Sequence, residues 1–348
     1  MEYKKMIENI NLLVSDKKIK DEELKIMLQK HGCYYLLHQM DEQDGLVSKK
    51  LLVNKRIIST RYRFCANLFS EISNIPYAVV KGAVLSKKIY GDVAFRFSRD
   101  IDLLVAEKNL DKIEEILNCQ GFVQGRVKSN KILLYTRAEC VYYKTYSHQL
   151  APFIKETGET LCPFVVVDVN YDIFWGEKEK RTDIDAFLQN LENCTIEGVK
   201  VRELAPEEEF IALCLHHYKD MNSVYLLSQG SLKLSLLCDI YFYMVKAKLN
   251  MELLLKKSQF YGVSEYVYYC IYATSIIFGK TNLHKQLTLL YSNKAEELLD
   301  KFGLTETERR TWKEPFEERL FSDNFYELFS EYLTSSDYRK IEINKQYM

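Results

Sequence analysis

The stretch Arg96-Phe97-Ser98-Arg99-Asp100-Ile101-Asp102-Leu103-Leu104-Val105 constrains this chain more than any other. Strand side chains alternate between faces, so Asp100 and Asp102 point one way while Ile101 and Leu103 point the other. Polar residues precede the acids and apolar ones follow, so the two aspartates open the strand. Two carboxylates on one face repel each other unless a cation lies between them. Hard divalent ions favour carboxylate and phosphate oxygens, which makes the pair suited to a metal and a triphosphate.

A third carboxylate is expected from a neighbouring strand. Phe164-Val165-Val166-Val167-Asp168-Val169-Asn170 is strongly β-forming, and its valines are interrupted by Asp168. An aspartate there is costly to bury without a compensating cation. Asp172 is the alternative if the register slips. Upstream, Val79-Val80-Lys81-Gly82-Ala83 joins a strand to a helix. Such a junction can turn backbone N–H groups and the helix start towards a phosphate, with Lys81 adding a point charge.

The rest of the chain frames these motifs. The first 75 residues read as helices from the spacing of Leu12, Leu13, Leu24, Met27 and Leu28, and again over 48–75. All five prolines fall later, and Pro76 ends the last of these helices. Short runs follow. Residues 77–81 are a strand, 82–90 a helix, 101–105 a strand and 109–119 a helix. Strands are then expected over 121–127, 132–137, 141–146 and 164–173, with a hairpin over 195–204 turning at Glu197-Gly198. Pro206 followed by Glu207, Glu208 and Glu209 starts a helix, and helical periodicity holds from there onward. The expected fold class is α+β, a small mixed sheet with helices, divided as an N-terminal helical region (1–75), an α/β core (76–205) and a C-terminal helical domain (206–348).

Composition narrows the function. Of 348 residues, 47% are hydrophobic and 28% charged, and formal net charge is -1. No positive field advertises bulk nucleic acid or an anionic membrane, though a few local cations suffice for a small phosphate. The nine cysteines are scattered without a C-x-x-C, which suits reduced core thiols in the cytoplasm. No signal peptide and no apolar run of transmembrane length is expected. His216-His217 reads as one interior and one exposed histidine, and Trp175 as a core aromatic at a strand end. The basic residues Lys49, Lys50, Lys55, Arg56, Arg61 and Arg63 read as a solvated helix face.

Taken together, Lys81-Gly82, Tyr90, Arg96, Asp100 to Val105, Gly121-Phe122 and Asp168 resemble the polymerase-β-like nucleotidyltransferase superfamily. More narrowly, they resemble its bacterial branch of uncharacterised nucleotidyltransferases, over residues 76 to 240. His216 or His217 with Asp239 fits that branch loosely. The chain departs from the wider superfamily in having Gly82-Ala83 where Gly-Ser is usual, so the backbone, Lys81 or Ser86 must replace the serine. It also has Asn170 where the branch often has histidine.

The resemblance implies a core of the polymerase-β-like type and transfer of an NMP from an NTP to a hydroxyl, with release of pyrophosphate. It implies Asp100, Asp102 and Asp168 as metal ligands and catalytic acids, holding two Mg²⁺ ions with Mn²⁺ as a substitute. Lys81, Gly82, Ala83, Ser86, Arg96 and Arg99 would meet the nucleotide. The partners would be an NTP and a hydroxyl-bearing acceptor (small molecule, peptide or RNA). Two rival readings stand beside this one. The first is an inactive nucleotide-binding or regulatory protein on the same fold, suggested by the missing serine. The second is a metal-dependent D-x-D glycosyltransferase, disfavoured because in those enzymes the apolar strand leads into the acids.

Overall fold

The computed structural model describes residues 6–10, 21–41, 44–173, 182–279 and 287–347. Trp175 lies outside them. The chain divides into two compact units, one of residues 43–175 and 181–209, the other of residues 1–42, 176–180 and 210–348.

The first unit begins with helix α1 (Gly45–Phe64), capped by Asp44, whose side chain accepts from the N–H groups of Leu46 (2.8 Å) and Val47 (3.1 Å). Val47, Leu51, Asn54, Ile58 and Tyr62 recur at helical spacing and are its buried residues. Strand β1 (Tyr77–Val80), helix α2 (Gly82–Tyr90), strand β2 (Ile101–Val105) and helix α3 (Leu110–Cys119) follow, as the periodicity predicts. The sheet is completed by β3 (Val123–Lys128), β4 (Lys131–Leu134), β5 (Phe153–Glu159) and β6 (Cys162–Asn170), in the order β1-β2-β6-β5-β3-β4. Among the described residues the β2–β6 pairing alone is parallel, so the sheet is mixed and the class α+β.

One face of this sheet carries Ile101, Leu103 and Val105 of β2 beside Val165, Val167 and Val169 of β6, all buried in one core. Ile58 and Tyr62 of α1 and Leu110, Ile113 and Leu117 of α3 complete it. Truncating one such residue to alanine costs about 2–5 kcal/mol, so the register of the strands is firmly held. A separate hairpin, β7 (Leu191–Ile196) and β8 (Val199–Leu204), turns at Glu197 (φ 46°) and Gly198 (φ 85°). A two-residue turn of that kind needs positive φ at both positions, as Glu197-Gly198 foretold.

Two expectations are corrected. Residues 141–146 are not a strand: helix α4 (Arg137–Tyr142) and a wider turn of helix over Tyr143–Ser147 occupy them. Thr136 and Glu139 form a reciprocal capping box that nucleates this helix, and it overrides the β preference of Val141 and the tyrosines. Strand β5, in contrast, was not expected. Its residues are mostly polar, and only Phe153 and Ile154 are buried, so it has no apolar alternation to read.

The second unit is mainly helical. It includes α5 (Pro206–Asn222, whose first turn falls in the sheet unit), α6 (Leu234–Lys246) and α7 (Ser264–Phe278). Among the described residues no helix is long and apolar enough to cross a membrane. His31 is buried here, and its Nδ1 accepts the Leu234 N–H at 3.1 Å. Desolvation, then Lys233 and Lys30, lowers its pKa from 6.5 to about 4. The unfolded chain therefore takes up this proton first as pH falls, and stability drops between 6.5 and about 4. By pH 5 the loss from this one group is about 2 kcal/mol. Thermal unfolding of wild type and His31→Phe at pH 7.5 and 5 checks it: the variant should show the smaller pH-dependent drop, and equal drops would refute the assignment.

Candidate active site

Parallel pairing sets Asp102 of β2 directly beside Asp168 of β6, in the register Ile101↔Val167, Asp102↔Asp168, Leu103↔Val169. Because the flanking residues fill the core, both aspartates stand on the opposite face, half-buried. Neighbouring strands lie about 4.8 Å apart, so the two carboxylates share one patch of that face. Asp100 sits just before β2 and is also half-buried. Burial, and after it the charge of Asp102, pushes its pKa up to about 6, with Lys81 and Arg61 pulling it back. The structure thus sets Asp102, at the start of β2, beside Asp168, near the finish of β6, with Asp100 two residues before Asp102. Asp172 lies past the end of β6, buried, with an oxygen 3.8 Å from His148 Nδ1.

Lys81 links β1 to α2 in a conformation glycine usually takes (φ 60°, ψ -146°), and Gly82 follows at φ 47°. Holding a lysine there costs of order 1–3 kcal/mol. The bend carries Lys81 Nζ to 3.3 Å from Asp102 Oδ1, while Asn170 Nδ2 donates to the same oxygen at 3.3 Å. Asn170, two residues beyond Asp168, thus helps to hold Asp102 in place.

The remaining expected contacts fall into different places. Gly82 is partly accessible and Ala83 is buried at the start of α2. Ser86 is fully buried; its hydroxyl donates to the Asp92 carbonyl (2.7 Å) and accepts from the Arg96 N–H (3.2 Å). That hydroxyl is occupied in shaping the loop before β2. Arg96 is half-buried and Arg99 is exposed. A Cβ placed on Gly82 would lie 3.5 Å from the Ser98 hydroxyl oxygen, so Ser98 puts a hydroxyl beside this turn.

Sequence reading missed the residues that hold this loop. Asn54 Nδ2 donates to the carbonyls of Ala94 (2.8 Å) and Arg96 (3.1 Å), and Arg61 donates to the Ser98 carbonyl at 2.6 Å. Lys55 pairs with Asp92 at 2.6 Å. Asn54 in an otherwise apolar buried stripe was the one local signal. Nothing near Arg61 distinguishes it from its basic neighbours.

Residues 53–279, well over half of the chain, match the protein family described as uncharacterised nucleotidyltransferase. The chain belongs to that family. A comparison with curated proteins finds no match. Among solved structures, an antigenic nucleotidyltransferase-like protein from Paracoccidioides brasiliensis is 16% identical, covering 70% of this chain and 94% of that one at a TM-score of 0.36. A likeness that slight carries no argument. As a member of the nucleotidyltransferase family, the chain has its matched region run from within α1 to the end of α7, and that region includes every residue of the candidate site.

Arg61→Ala should release the Ser98 carbonyl and loosen the approach to β2. If the aspartates act as proposed below, a displacement near 1 Å would lower turnover about 10- to 100-fold. Arg61→Lys, which keeps charge but not the guanidinium fork, should recover only part of it. Measured kcat for the two variants decides this, and an unchanged kcat in Arg61→Ala would remove Arg61 from the site.

Proposed function

We propose that this chain is a metal-dependent nucleotidyltransferase that moves an NMP from an NTP to a hydroxyl of an acceptor, with release of pyrophosphate. The observation carrying this reading is the side-by-side register of Asp102 and Asp168 on parallel strands, with Asp100 one step away. Crowded carboxylates, one of them held above its ordinary range by burial and by its neighbour, fit a divalent cation, whose charge relieves the repulsion. Asp100, Asp102 and Asp168 would hold Mg²⁺, which when bound stabilises charge on the attacking and leaving oxygens of an in-line displacement.

The chain's own groups do the rest. Asp168 accepts the proton of the attacking hydroxyl. Lys81, bound to Asp102, exchanges that contact for a phosphate oxygen when the nucleotide enters. The start of α2 at Gly82-Ala83 presents backbone N–H groups to the triphosphate, with the Ser98 hydroxyl beside it. Arg96 and Arg99 neutralise further phosphate charge. The Ser98 hydroxyl beside Gly82 would supply the phosphate contact that a serine at position 83 would otherwise make.

The test is incubation of the full chain with Mg²⁺ and each labelled NTP, following pyrophosphate release and label on candidate small molecules, peptides and RNA. Pyrophosphate release that stops on adding a chelator supports the reading. Nucleotide binding without turnover would favour the inactive nucleotide-binding protein, and failure to bind any NTP would end the proposal.

A further inference from the structure

A second cluster of ligating groups lies in the helical unit, on α5. His216, His217 and Asp220 each offer one ligand atom, and these atoms lie within 4.8 Å of one another. Asp220 lies four positions after His216 and three after His217, so its side chain can meet each of them on the helix surface. His216 Nε2 already stands 3.2 Å from Asp220 Oδ2. An ion bound to nitrogen and oxygen at about 2.0–2.2 Å holds tetrahedral neighbours roughly 3.3 Å apart, so this pair needs little movement.

The buried member is the informative one. His217 is fully buried, and its Nε2 is 3.2 Å from Asp239 Oδ2, itself buried. Its other nitrogen, Nδ1, is buried with no hydrogen-bond partner among the described residues. A buried polar atom left in that state is expensive unless something binds it. A carboxylate fixing one nitrogen of an imidazole while the second faces a cluster of ligands is the usual setting of a metal-bound histidine. With Nε2 held by Asp239, Nδ1 is the nitrogen left to ligate.

The geometry points to a zinc-class divalent ion held by His216, His217 and Asp220, with Asp239 orienting His217 from behind. Two imidazoles and one carboxylate suit Zn²⁺ over Mg²⁺, which prefers oxygen alone. Three protein ligands leave a fourth position for water, and the partial exposure of His216 and Asp220 (side chains 21% and 19%) gives the ion a way in. Lys219 Nζ lies 3.9 Å from the second oxygen of Asp220 and must turn aside when the ion enters. The site is independent of the three aspartates and of the activity proposed for them.

The experiment titrates the chelator-stripped full chain with Zn²⁺ against a chromogenic competitor, then with Co²⁺ to read coordination from its visible absorption. It is done on wild type and on the Asp100→Ala/Asp102→Ala variant, so that ions held by those aspartates are separated. One Zn²⁺ per chain, retained in that variant, with a four-coordinate Co²⁺ spectrum is expected. His216→Ala and Asp220→Ala, at half-buried positions that spare the core, should each weaken binding by at least about 100-fold, and Asp239→Asn by about 10- to 100-fold. Zinc binding unchanged in His216→Ala and Asp220→Ala would overturn the site, as would absence of binding by wild type or its loss in the Asp100→Ala/Asp102→Ala variant.

Discussion

If the chain acts as proposed, Asp102→Ala should reduce nucleotidyl transfer by at least roughly 1,000-fold, because it would remove the carboxylate beside Asp168 that the proposed metal needs and free Lys81. The fold should survive. Asp102 stands on the face away from the core, and its loss relieves repulsion on Asp100. Burial is the larger cause of the raised Asp100 pKa, so that carboxyl should remain above its ordinary range even in the variant. Circular dichroism should therefore match wild type while pyrophosphate release collapses. An Asp102→Ala protein keeping more than about a tenth of wild-type kcat would sink the site assignment, since no direct metal ligand is so dispensable.

The second large effect separates two aspartates four residues apart. Asp168→Ala should lower kcat by about 100- to 1,000-fold with little change in melting temperature. Asp172→Ala should keep kcat within a few-fold but lose about 1–3 kcal/mol of stability, because it empties a buried polar position facing His148. Measuring kcat and melting temperature for both variants gives a crossed pattern. The opposite cross, with activity lost only in Asp172→Ala, would transfer the third carboxylate to Asp172.

What the sequence revealed follows from which forces are local. The period-two alternation of β2 and the valines of β6 are written in consecutive residues, so strand identity and the facing of Asp102 and Asp168 could be read directly. Their pairing could not: Asp168 lies 66 positions after Asp102, and a core shared by residues such as Leu103, Val167 and Val169 brings the strands together. Residues 141–146 misled because side-chain preference is weaker than a capping box placed five residues upstream. Asn54 and Arg61 reach the loop before β2 across 37 to 42 positions of chain. Contacts of that span leave no periodic trace, and a basic helix face looks the same whether it meets water or a carbonyl.

The parallel β2–β6 pairing also governs when function can appear as the chain folds. Helices α1, α2 and α3 can form from near neighbours in sequence, on the timescale of local events. The aspartate pair exists only after a long loop has closed and two strands have docked in parallel, which is slow because the chain loses loop entropy before the contact stabilises it. In a refolding experiment the helical signal should return well before the proposed affinity for Mg²⁺–nucleotide does. A newly made chain passes through that same interval with its fold half-built and its carboxylates still apart.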